Sequence, residues 1–154
     1  MEKLFDITLK NRKILYKLLK ELLREQLLEI PEGFRNNIWW NIAHVVVTQQ
    51  LLVYQLSGTP MRISNELVAK FKKGTMPDGT VTVQEIEQIQ ELLFATITWT
   101  QEDYEKKAFN AYHEYTTTPK ITLSSVEDAI AFNIFHEGIH LGTIQALLKK
   151  VGNK

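Results

Sequence analysis

Apolar residues recur at spacings of three and four along most of the chain, and no stretch alternates long enough to give a confident strand. Four segments carry this helical period. The first spans about residues 4–28. There Ile7, Ile14, Leu15, Leu18, Leu19, Leu22 and Leu23 form a stripe with Lys and Glu between them, until Pro31 and Gly33 break it. The second starts at Asn36 or Asn37, either of which suits an N-cap, and runs to about residue 57. Its first half, IWWNIAHVVV, is apolar almost all round and predicts the most buried helix; Gly58-Thr59-Pro60 ends it. The third opens at Thr82-Val83-Gln84-Glu85, which fits a capping box, and Ile86, Ile89, Leu93, Ile97 and Tyr104 follow on one face. The fourth opens at a second such box, Ser124-Ser125-Val126-Glu127. Glu127 and Asp128 lie in its first turn, Lys149 and Lys150 in its last, and Gly152 just beyond, all complementing the helix dipole.

Four helices of this length, each ~30–38 Å at 1.5 Å per residue, predict an all-α four-helix bundle. The short link between the first two makes them antiparallel. The connections after the second and third helices, residues 58–81 and 107–123, are long enough to cross a bundle end and join parallel helices, and loops of that length are where lids and binding loops occur. Within the later one, residues 115–123 could be extended. No repeat or composition break divides the chain, so residues 1–154 are expected to form a single domain.

Charge and composition narrow the chemistry. Eighteen basic and 18 acidic residues cancel without a block of either sign, so no nucleic-acid face is expected. The first residues lack a signal-peptide layout, and no apolar run approaches the ~20 residues needed to span a bilayer, so no membrane partner is expected. Cysteine is absent, which excludes disulfides, zinc–thiolate sites and a cysteine nucleophile and fits a cytoplasmic protein. Any thiol chemistry would need a thiol from a second substrate.

The candidate chemistry lies in the histidines. His136 and His140 are four apart on the fourth helix, ~40° around its axis and ~6 Å along it, so both rings can reach one ion. His44 sits in the most apolar part of the second helix, where a buried imidazole must find a partner. Two hydrogen-bonded core histidines would be the plain reading of the pair alone. Three rings from two helices facing one interior are better explained by a divalent transition metal; imidazole suits zinc, nickel, copper or iron, and the rings alone do not select among them. His113 falls in the loop before the fourth helix and is expected to face solvent.

Residues 136–140 also read H-E-x-x-H, the zinc-protease signature, in which Glu137 would be the catalytic base. That chemistry needs a third ligand, usually downstream, and LGTIQALLKKVGNK after His140 contains no His, Asp or Glu. Without the protease role Glu137 becomes a flanking residue, and Asn41, Asn133 or Glu137 could orient a ligand ring.

The order Asn37, Trp40 and His44 near the start of the second helix, then His136, His140 and Gly142 near the end of the last, resembles the DinB/YfiT-like metalloprotein family. The resemblance covers nearly the whole chain. It implies a bundle of up-down-down-up topology, three histidines holding a divalent metal at one end of an interior pocket, and a homodimer. It also implies a small-molecule substrate and, by analogy with some relatives, a transferase using a low-molecular-weight thiol. A non-catalytic metal-binding or stress-response module is the alternative. Thr143 stands where the family pattern suggests Gln, so the site transfers more readily than the substrate.

Two further features complete the expectations. Trp39 and Trp40 point ~100° apart on a helix, so one is expected in the core and the other against a neighbour, a pocket or a second subunit. Residues 61–77, with Lys70, Lys72, Lys73 and Gly74, read as a solvated loop that could hold an anionic cosubstrate over the site.

Overall fold

A computed structural model describes residues 1–152. The order is α1 (Glu2–Glu21), α2 (Arg24–Leu28), α3 (Ile38–Gln50) running on into a π-helical turn (Leu51–Gln55), α4 (Asn65–Phe71), α5 (Val83–Glu105), strands β1 (Tyr115–Thr116) and β2 (Thr122–Leu123), and α6 (Val126–Val151). The strands form one small antiparallel hairpin in the segment expected to be extended. No helix among the described residues is long and apolar enough to cross a membrane.

Side-chain pairs fix the directions of the four long helices. Phe5 meets Tyr104 and Tyr16 meets Phe94, so α1 and α5 are antiparallel. Arg12 reaches the Val45 carbonyl while Phe5 shares a core cluster with Val53, so α1 and α3 are antiparallel too. Gln49 bonds Thr100 and Tyr54 bonds Asp103, which makes α3 and α5 parallel. Asn41 bonds His140 while His44 faces His136, so α6 runs against α3. The result is an up-down-down-up four-helix bundle; of the two long connections, the one after α3 joins parallel helices, whereas the one after α5 joins antiparallel ones and carries the hairpin instead.

The first helix departs from its expected stripe. Ile7 and Ile14 are 40% and 48% exposed and Leu23 is 66% exposed, whereas the buried face is Phe5, Thr8, Arg12, Leu15 and Leu19. The helix also ends at Glu21 and restarts as α2, with the extended Leu22 and Leu23 between them. Polar Thr8 and Arg12 are tolerated in the interior because each finds a partner there: Thr8 donates to the Leu4 carbonyl, and Arg12 pairs through Nε and Nη2 with Glu137, leaving Nη1 without a partner.

Asn37 is the N-cap of α3, accepting from the Trp40 amide while its own amide donates to the Leu28 carbonyl. Both tryptophans are buried and take the two expected settings: Trp39 meets Phe71 edge-on in the core, and Trp40 stacks on His44 and lines a pocket. The expected loop at 61–77 contains α4, capped by Ser64, and Leu67 and Phe71 on it are buried against the bundle. The capping box of α5 forms as predicted between Thr82 and Glu85. That of α6 is shifted by one residue: Ser125 is the N-cap and accepts from the Asp128 amide, while the Asp128 carboxylate accepts from the Ser124 amide. Glu127 instead accepts from the Tyr104 hydroxyl.

Candidate metal centre

His44 on α3 and His136 and His140 on α6 converge. One ring nitrogen from each lies within 4.8 Å of the others, and the ring centroids are 4.5–5.2 Å apart. The antiparallel crossing of α3 and α6 brings the third ring to the pair, which helical spacing alone places on one face.

The surroundings decide which nitrogen each ring offers. His44 donates Nδ1–H to the Phe71 carbonyl at 2.6 Å, so its Nε2 carries the lone pair. That carbonyl is the last of α4, so the short helix has a direct part in the site. His140 Nδ1 lies 2.8 Å from Asn41 Oδ1. The amide orientation is set by Asn41 Nδ2 donating to the Asn37 carbonyl, so Oδ1 accepts and His140 turns Nε2 inward. His136 Nε2 is 3.2 Å from His140 Nε2. His136 Nδ1 is buried without a hydrogen-bond partner. His136 and His140 therefore meet through Nε2, and His44, with Nδ1 committed to Phe71, has Nε2 left to offer within the cluster. A ligand set of three neutral imidazoles with open positions suits a divalent transition metal, so the residues fit the group.

Electrostatics keep the rings neutral. Burial pushes His136 down to about 3, with the His44 and Arg12 charges adding to it, and burial followed by the His136 and His44 charges brings His140 to about 3. His44 is lowered by burial, against which its bond to Phe71 acts in the opposite sense. Imidazoles held neutral are the form that binds a cation. Thr48, one turn beyond His44, places its hydroxyl 3.2 Å from His44 Nε2.

Glu137 lies next to His136 in sequence but turns away from the cluster. Its Oε1 accepts from Arg12 Nε at 2.9 Å, Arg12 Nη2 at 2.7 Å and Asn133 Nδ2 at 2.8 Å, and its Oε2 accepts from Asn11 Nδ2 at 2.7 Å. Arg12 and Glu137 are both essentially inaccessible to solvent. A carboxylate engaged by four donors, two of them from a buried guanidinium, is a structural anion. The H-E-x-x-H pattern thus divides between two tasks, with the histidines turned to one neighbour and the glutamate to another. Of the three side chains considered for orienting a ligand ring, Asn41 contacts one, whereas Asn133 bonds Glu137.

The histidines form the floor of a cavity of about 660 Å³. Its walls come from Leu51, Leu52 and Leu56 at the end of α3 and from Phe132, Phe135 and Ile139 on α6. The first wall lies in the π-helical turn, where the Leu56 amide bonds back to Leu51, five residues earlier. No sequence signal pointed to this turn. Lys73 and Gly74 line the mouth, while Lys70 is drawn off to Glu85 and Asp78. His113 is exposed and lies outside both the cluster and the cavity lining. Gly142 has open space where a Cβ would lie, and Thr143 bonds the Ile139 carbonyl without lining the cavity.

No curated protein matches the chain. The family model described as the DinB superfamily matches residues 8–144, a span that contains the capping Asn37, the stacked Trp40 and all three clustered histidines. With that span, the bundle topology and the histidine cluster in agreement, the chain belongs to the DinB superfamily.

Proposed function

We propose that His44, His136 and His140 bind one divalent transition metal through their Nε2 atoms, and that the protein is a metal-dependent enzyme acting on a small molecule held in the cavity above it. The observation that carries this reading is the orientation of the rings: the Phe71 carbonyl and the Asn41 amide oxygen hold two Nδ1–H groups outward, leaving the Nε2 lone pairs to offer. When bound, such an ion supplies Lewis acidity and lowers the pKa of a water or thiol that it ligates. The remaining work falls to the chain itself. Trp40 stacks on His44 and closes one side of the floor, while the leucines and phenylalanines of the walls exclude water. No general base is assigned, because Glu137 is committed to Arg12.

The reaction we favour is transfer of a low-molecular-weight thiol to an electrophile, with zinc or nickel as the ion. The absence of cysteine requires an external thiol, and a site with an open, apolar cavity suits turnover better than a purely structural ion, whose ligands usually close around it. The test is a thiol-transferase screen with several small thiols on metal-loaded, metal-stripped and reloaded protein. Turnover that disappears on stripping and returns on reloading supports the reading. Stoichiometric metal without turnover for any thiol contradicts it and favours a non-catalytic metal-binding module.

A further inference from the structure

The cavity has a chemical asymmetry that the metal does not explain. Among the described residues lining it, Lys73 is the one formally charged side chain, and no Asp or Glu is present. Lys73 lies in the turn after α4 and donates to Thr118 Oγ1 at 2.7 Å, reaching across to the β1–β2 hairpin. An ammonium has three donors, so this bond leaves others for a ligand. The turn that carries it is anchored from within: Thr75 Oγ1 donates to the Lys72 carbonyl and accepts from Trp40 Nε1, the same indole that stacks on His44. The position of the cation is therefore tied to the histidine floor through one side chain.

Beside the exposed polar Gln55 and Thr118, the cavity also leaves large apolar side chains open to solvent. Phe135 and Ile139 are about half exposed and Tyr115 more than a third, and all three line the cavity. Large apolar groups gathered at the entrance of a cavity of ligand size mark a binding surface more often than a chance cluster.

We propose that the site takes a small molecule with an apolar body and one anionic group, the body lying between the α3 and α6 walls and the anion held by Lys73 at the mouth. This rests on the reading above for what the histidine floor does, but the binding itself does not require the ion. A lysine is a point charge, so it selects the sign of the group rather than the planar shape of a carboxylate.

The probes are phenylbutyrate and its neutral counterpart phenylbutanol, titrated calorimetrically into metal-stripped and zinc-loaded protein, wild type, Lys73→Gln and Lys73→Arg. In the metal-stripped wild type the acid should bind about fivefold to tenfold tighter than the alcohol, a partly exposed charge-assisted bond giving less than a buried one. Lys73→Gln should remove that preference without changing the alcohol affinity, which shows that the cavity is intact, and Lys73→Arg should keep it. Added salt should shrink the preference. Equal binding of the two probes, saturable binding of neither, or an acid preference that survives Lys73→Gln overturns the proposal. A preference seen only with zinc places the carboxylate on the metal and also overturns it. Failure of zinc to bind counts against the metal reading alone, since the metal-stripped titration still decides this one.

Discussion

Glu137 and His136 are adjacent, yet a rotation of ~100° sends them to different neighbours, and this separation explains the local chemistry. Replacing Glu137 with Gln leaves the Arg12 charge buried without its counter-ion, which should cost about 3–5 kcal/mol and lower the melting temperature sharply. Metal stoichiometry below the transition should be retained. An unchanged melting temperature would show that the pair is not the structural anion and cation described. The histidines add a pH dependence of fixed sign. The unfolded chain protonates His136 and His140 near 6.5, whereas the folded chain resists until about 3. Between those values the unfolded state binds more protons, so the stability of the metal-free fold is full above 6.5 and falls as the pH drops toward 3. Denaturant midpoints across that window should fall more for the wild type than for a His136→Gln/His140→Gln double variant, and parallel curves would refute the burial argument.

At the scale of elements, the sequence is most legible where local chemistry is self-sufficient. The box at Thr82 and Glu85 forms as read, because both partners lie within one turn; Thr82→Ala should lower stability by about 1 kcal/mol, measured as a lower denaturant midpoint, and no shift would mean the cap is idle. Legibility fails where the deciding partner is remote. The buried stripe of α1 includes Arg12, which no apolar pattern would place inside; only Glu137, on the far end of the chain, makes that position tolerable. Exposed Ile7 and Ile14 drew the expected face around the helix for the same reason. Helix α4 leaves little signal in the sequence, because its seven residues sit in a lysine-rich stretch and its contribution is a main-chain carbonyl, which side-chain reading does not see. The three histidines were legible as a set, since two share a helical face and the third sits in an otherwise apolar helix. The ring orientations that make them a site depend on Asn41 and Phe71 and needed the fold.

For the whole molecule, the bundle and the centre are separable. Two apolar clusters and the Arg12–Glu137 pair hold the helices together without the ion, so stripping metal should leave helicity by circular dichroism nearly unchanged. Metal at about a hundred times its dissociation constant should still add about 2.7 kcal/mol, raising the melting temperature, because it binds the folded state alone. Collapse of the helical signal on stripping would make the ion structural and remove the case for an open catalytic site. The most direct test is the transition-metal content of protein purified without a histidine tag and reconstituted with zinc or nickel, alongside His140→Ala. About one equivalent in the wild type, lost in a variant that stays helical, is the predicted result. Less than about a tenth of an equivalent in the wild type, or undiminished binding by His140→Ala, would contradict it.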